Sequence, residues 1–184
     1  MKVEGTTLPG VVIVTPRVFK DDRGFFLESF NARAFAAEGL PTGFVQDNHS
    51  RSDAGVVRGL HYQLEHPQGK LVRVVRGAAF DVVVDIRVGS PTFGRWTATE
   101  LNDRNHRMVW APPGFAHGFC ALTDGTDVVY KCTDFYAADD DRGILWSDPG
   151  LAIPWPAIAR RVSGKDARYL PLRTPRLDLP TYPP

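Results

Sequence analysis

The chain has 184 residues, 43% of them hydrophobic and 23% charged, which suits one domain with its own buried core and excludes disordered and fibrous classes. Its 22 lysines and arginines face 21 aspartates and glutamates, leaving a formal charge of +1. No global field attracts nucleic acid or an anionic membrane, so neither is an expected partner and any anion site is local.

Short runs rich in valine, phenylalanine and tyrosine recur between turn signals, which predicts an all-β sandwich or barrel over alternating βαβ units. Strands are expected at residues 11–15 and 25–30, followed by a short helix at 32–38. Asn31 is placed to cap its start and Gly39 follows its end. Further strands are expected at 44–49, 56–63, 70–76, 80–87, 96–101, 108–111, 118–122 and 128–133. The runs KLVRVV and FDVVVDIR, meeting at Arg76 and Gly77, read as a hairpin. In the second run Asp81, Val83, Asp85 and Arg87 alternate with an apolar Val82, Val84 and Ile86 face. Asp81 and Asp85 are expected on a solvated or hydrogen-bonded outer face rather than as a catalytic pair. Prolines become dense after Ile153, from Pro154 and Pro156 to Pro183 and Pro184, marking an irregular tail that packs over the domain or frays. Residues 1–184 are read as a single domain with its core at about 10–172 and a proline-rich tail after 172.

Cys120 and Cys132 lack CxxC spacing, and the N-terminus lacks the basic-then-apolar pattern of a secretory signal, so a reducing cytoplasm is the expected location. No apolar run approaches the roughly 18 residues a membrane-spanning helix needs.

Five histidines, His49, His61, His66, His106 and His117, raise the question of a metal. Two imidazoles aim the same way from one strand when spaced HxH, but the position two after His61 is Gln63, and His66 lies beyond it beside Pro67. The spacing gives no metal site. His61 lies in RGLHYQ, on a strand whose side chains alternate between core and interior. A lone strand histidine is usually structural. The stretches QDN at 46–48, QGK at 68–70, GFAHGF at 114–119, YKCTDFY at 130–136 and SGKD at 163–166 set polar groups among aromatics, a mixture that suits a pocket. Arg23, Arg58, Lys70 and Lys165 could together meet a diphosphate, or each could simply be solvated. Arg58 and His61 are three positions apart and reach one ligand only if Gly59 introduces a bulge or the ligand wraps the strand edge.

With RGLHYQ, QGKLVRV, DIRVGSPTFGRW, APPGFAHGF, YKCTDFY, LWSDPGLAIPWP and SGKD in this order, the chain resembles the dTDP-4-dehydrorhamnose 3,5-epimerase family from about Gly10 to Leu172. The resemblance implies a cupin-like jelly roll, a homodimer whose N-terminal strands cross between subunits, and no metal or redox cofactor. Its implied substrate is the small molecule dTDP-4-dehydro-6-deoxy-α-D-glucose and its product dTDP-4-dehydro-β-L-rhamnose.

By motif, His61 is similar to the family's general base, Asp166 to the carboxylate that orients it, and Tyr130 to the general acid. Lys70 is similar to the residue beside the C4 ketone. Arg23, Glu28, Gln46, Asp47, Asn48, Arg58, His117 and Lys165 fall at positions resembling substrate contacts. Asp141 stands where a glutamate is common, and Tyr136 either stacks on the thymine or sugar or fills a barrel wall. The implied chemistry is consistent with these residue types. A C4 ketone acidifies the hydrogens at C3 and C5, and inversion needs one base and one acid on opposite faces of the sugar. The alternatives are a mono-epimerase acting at C3 or C5 alone, a metal-dependent cupin, and a sugar-nucleotide binding module without catalysis.

Overall fold

Alternating side chains and β-branched or aromatic residues favour pleated strands. The computed structural model, which describes residues 1–175 and 178–182, is built largely from them. In chain order they are β1 (Lys2–Gly5), β2 (Val12–Thr15), β3 (Val18–Asp21), β4 (Gly24–Leu27), β5 (Gln46–Ser52), β6 (Val57–Tyr62), β7 (Lys70–Arg76), β8 (Ala78–Asp85), β9 (Trp96–Asn102), β10 (Met108–Ala111), β11 (Phe115–Ala121), β12 (Thr126–Cys132) and β13 (Arg142–Gly143). The single α-helix among the described residues, α1 (Ala32–Ala37), follows β4, and the Asn31 side chain accepts from the backbone N–H groups of Arg33 and Ala34 as the capping pattern requires.

One sheet has the order β1-β2-β10-β7-β12-β5 and the other β13-β6-β11-β8-β9, with antiparallel neighbours throughout. A core including Leu8, Val72, Val74, Val83, Leu101, Val109, Phe115, Phe119 and Val128 combines side chains from both sheets. The result is the expected all-β jelly roll, in sandwich form rather than as one closed barrel. A second cluster of Leu60, Tyr62, Val82, Val84 and Ile86 is covered by Ile144, Leu151, Ile153 and Leu172 from the C-terminal segment. A third, of Val14, Leu71, Met108 and Trp110, lies under Phe35 of α1.

Three expectations change. The runs flanking Gly77 do not form a hairpin: β7 pairs with β10 and β12 in one sheet, whereas β8 pairs with β9 and β11 in the other. Gly77 is the corner between sheets, with φ of 79° and with Thr123 and Thr126 packed where a Cβ would stand. Asp81 and Asp85 are hydrogen-bonded, one of the two settings expected, but they are buried rather than on an outer face, being 1% and 0% exposed. They alternate with Val82 and Val84, whose apolar face is the one the C-terminal segment covers. Third, ordered structure reaches beyond 10–172. Leu8 is in the core and β1 pairs with β2.

The described part of the tail packs down. Val88 donates to the Pro180 carbonyl at 2.8 Å, Tyr182 donates to that of Val88 at 2.9 Å, and the Tyr62 hydroxyl donates to that of Asp178 at 3.0 Å. Pro183 and Pro184 lie outside the described residues. Strands β3 and β4 form a hairpin that joins neither sheet and exposes Phe19, Phe25 and Phe26. No described helix is long and apolar enough to cross a membrane.

Candidate active site

The site begins at Gly59. Its φ is 130°, and a Cβ there would sit 2.5 Å from the Gly118 Cα, so only glycine lets β6 lie this close to β11. The register between the two strands shifts between His117 and Phe119. Arg58 and His61 consequently line the same cavity, of about 540 Å³, despite their odd spacing.

His61 Nε2 lies 2.8 Å from Asp166 Oδ1. Asp166 is 2% exposed, and its other oxygen accepts the Gly59 N–H at 3.2 Å. Burial pushes this carboxyl up, but the hydrogen bond and charge of His61, with the Gly59 N–H and the Ser163 side chain, outweigh burial and leave it below its ordinary value. An ionised carboxylate only accepts. In the neutral ring Nε2 therefore carries the proton and Nδ1 keeps the lone pair a base requires. His117, across from His61 in the β6–β11 register, is held the same way, its Nε2 2.8 Å from Asp81 Oδ2.

The facing wall comes from the other sheet. Lys70 at the start of β7 and Tyr130 on β12 line the cavity with His61, His117 and Asp166. Burial pulls the Lys70 ammonium down, against the opposing pull of Cys132, Asp141 and Asp81. Burial also pushes the Tyr130 phenol up, with Cys132 adding to this and Arg58 opposing it, so Tyr130 holds its proton at neutral pH.

Asn48 and Gln46 stand opposite Tyr130 and Cys132 in the β5–β12 register, and Gln46 accepts the Tyr136 N–H at 2.8 Å. At the mouth, Asp141 accepts from the Tyr136 hydroxyl at 2.9 Å and from Lys165 Nζ at 2.5 Å. Burial pulls the Lys165 ammonium down, but the hydrogen bond and charge of Asp141, with the Tyr169 side chain, more than reverse that. Tyr136 is 56% exposed, so it does not fill a barrel wall.

The sequence profile of the dTDP-4-dehydrorhamnose 3,5-epimerase family matches residues 5–174. The chain belongs to that family. It is 55% identical over 168 residues to the dTDP-4-dehydrorhamnose 3,5-epimerase of Shigella flexneri, spanning 90% of this chain and 93% of that protein. The enzyme of the same name from Pseudomonas aeruginosa is 55% identical over 157 residues, 85% of this chain and 87% of its own. The crystal structure of dTDP-6-deoxy-D-glucose-3,5-epimerase from Legionella pneumophila in complex with dTDP-4-keto-L-rhamnose matches with a TM-score of 0.96 at 46% identity, covering 100% of this chain and 99% of that one.

Within one copy of this family member the fold gathers His61, Asp166, Tyr130, Lys70, Arg58, His117 and Lys165 around the cavity, with Gln46, Asn48, Tyr136 and Asp141 beside it. Three predicted contacts are elsewhere. Arg23 sits at the tip of the β3–β4 hairpin paired with Asp21, and Glu28 faces a cleft beside α1. Asp47 alternates with Gln46 and Asn48 on β5 and pairs with Lys131 at 3.0 Å. The sequence reading set Asp81 on an outer face, gave Ser163 no role of its own within SGKD and did not single out Tyr169, which lies three residues after that run; all three are partners of the site. Among the described residues no three His, Cys, Asp or Glu side chains converge as metal ligands.

Proposed function

We propose that this chain inverts C3 and C5 of dTDP-4-dehydro-6-deoxy-D-glucose to give dTDP-4-dehydro-L-rhamnose, with His61 as base and Tyr130 as acid. One observation carries the assignment. His61 projects from β6 of the five-stranded sheet and Tyr130 from β12 of the six-stranded sheet, into the same cavity. A sugar ring lying between the sheets meets a base on one face and an acid on the other, which is the arrangement inversion requires.

His61 Nδ1 takes the hydrogen from the carbon beside the ketone, Asp166 holds the resulting imidazolium, and Tyr130 returns a proton from the opposite side. The electrons left on carbon delocalise onto the C4 oxygen, where the Lys70 ammonium offers charge in a desolvated setting. Arg58, His117 and Lys165 supply local positive or donor groups for the diphosphate. Tyr136, open at the mouth, offers a face for the thymine or sugar. This chemistry calls on no cofactor.

The homodimer belongs to the same proposal. The β3–β4 hairpin, with three exposed phenylalanines and Arg23 at its tip, fits a second copy better than solvent, and such an exchange would bring Arg23 and Glu28 to the partner's cavity. Sedimentation of the full chain tests this, and a monomer at micromolar concentration refutes it. Both cysteines are free thiols, in keeping with a cytoplasmic enzyme. Incubation with the dTDP-4-keto sugar in D2O tests the reaction. Deuterium at both C3 and C5 is expected; label at one carbon assigns a mono-epimerase, and label at neither refutes the proposal.

A further inference from the structure

Tyr169 packs against the ring of His61. Its ring centroid lies 6.0 Å from that of His61, at an interplanar angle of 72°, an edge-to-face contact. It is not among the residues lining either cavity that contains His61. Asp166 and Tyr169 are the start and the C-cap of one 3-10 turn, so a single turn supplies both the hydrogen-bond partner of His61 and an aromatic neighbour to its ring.

The floor beneath Tyr169 is Gly143. A Cβ there would stand 2.2 Å from Tyr169 Cε2 and 2.5 Å from Cδ2, so any side chain at 143 would push the ring off β13. Gly143 is also the register partner of His61 across the β6–β13 pair. The Leu145 N–H donates to the Leu170 carbonyl at 3.0 Å, tying the segment after Tyr169 to the chain after β13. The Tyr169 hydroxyl is buried with no close hydrogen-bond partner, its polar neighbour being Lys165, whose Nζ lies 6.0 Å from the ring centroid, so the part of Tyr169 that meets His61 is the ring.

We infer that Tyr169 is a positioning residue whose ring fixes the orientation of His61 and keeps its Nε2–H directed at Asp166. This rests on the reading of His61 as the base. Without the ring, the imidazole can turn about its Cβ–Cγ bond, and the lone pair of Nδ1 no longer points at one place.

Two readouts on the full-length protein test the inference. In the free enzyme, 15N NMR of the imidazoles, with His61 assigned by its loss in His61→Ala, is expected to show a single Nε2–H tautomer in the parent and in Tyr169→Phe. A mixed or exchange-broadened signal is expected in Tyr169→Ala. In turnover, Tyr169→Ala is expected to lose roughly 100-fold in kcat, the scale of a 1 Å misplacement, with KM within about threefold. Tyr169→Phe is expected to stay within about threefold on both.

A purely structural role would scale kcat with the folded fraction and leave the tautomer of the folded protein unchanged, which overturns the inference. So does a Tyr169→Phe that falls as far as Tyr169→Ala, because it assigns the effect to the hydroxyl. Should the alanine variant not fold, Tyr169→Leu fills the volume without a flat face; a mixed tautomer in it supports the inference and a parental one overturns it. The NMR result needs no substrate. An inactive parent enzyme would therefore count against the proposed reaction alone.

Discussion

Asp166→Asn gives a sharp test of the proposed role of His61 as base. The carboxylate accepts two donors at once, His61 Nε2–H at 2.8 Å and Gly59 N–H at 3.2 Å, with the side chain almost fully buried. An amide has one oxygen. The Gly59 backbone N–H cannot turn away, so the oxygen settles there and the NH2 group faces His61. The imidazole must then accept at Nε2 and move its proton to Nδ1, the atom that should be the base. Enforcing the wrong tautomer costs up to roughly 10,000-fold in kcat, and losing only part of a general base roughly 100-fold. The expected barrier increase is about 3 to 5 kcal/mol. Because the Asp166 side chain is almost fully buried and its oxygens are taken up by His61 and Gly59, KM and dTDP affinity should change by no more than about threefold. Deuterium wash-in at C3 and C5, followed by NMR against enzyme concentration, measures the rate, and calorimetry with dTDP reports an intact site. An asparagine variant turning over within threefold of the parent would refute the tautomer argument.

His61→Ala should abolish label uptake at both carbons while leaving dTDP binding within a few-fold; retained turnover would remove His61 from the mechanism. Tyr130→Phe should separate exchange from inversion, because His61 still removes and returns a proton on its own face. Deuterium should enter without net epimerisation, and undiminished epimerisation would show that another group supplies the acid. Burial lowers the Lys70 ammonium from its ordinary value and raises the Tyr130 phenol from its own. With the Lys70 charge required, kcat should fall as pH rises through the lowered lysine value, and that alkaline limb should shift upward in Lys70→Arg; an unmoved limb argues against Lys70 as its source. Asp85 is held at about 2 because hydrogen bonds from Arg87, Ser90 and Thr92 outweigh the upward push of burial. Its depressed folded value means the stabilisation is present above pH 4 and is lost as pH falls toward 2. Asp85→Asn should cost about 2 kcal/mol at pH 7 in urea unfolding at fixed protein concentration, with the gap closing in acid. A gap independent of pH would place its origin outside the charge.

Local patterns predicted the strands well where alternation and β-branching agreed. Strands at 70–76 and 108–111 lie where they were expected, and α1 begins at its Asn31 cap. Local patterns mislead where the local signal serves a long-range purpose. The predicted strand began at residue 118 and omitted His117, yet β11 starts at Phe115 and Gly118 lies within it to admit Gly59 of β6. Gly77 reads as a hairpin turn because a tight glycine corner within one sheet and one between sheets have the same linear signature; only the pairing partners distinguish them. Asp81 and Asp85 read as surface because charge alternating with valine usually faces water, and here both faces of β8 are covered, the Val83 side by the core between the sheets and the Val82 and Val84 side by the C-terminal segment.

The sequence alone determined the all-β class, from strand-length periodicity, and the chemical inventory of the site, from motifs whose order resembles the epimerase family. Even the geometric condition at Gly59 was legible, since alternation on an ideal strand forbids Arg58 and His61 a common side. The tertiary structure decided which residues meet. It brought Asp166 to His61 across 105 positions, set Tyr130 against His61 from the opposite sheet, and left Arg23, Glu28 and Asp47 away from the cavity of their own chain. Periodicity is a property of neighbours in the chain. Catalysis depends on contacts between distant segments, and the energy that selects those contacts comes from packing two sheets and a C-terminal strap around shared cores.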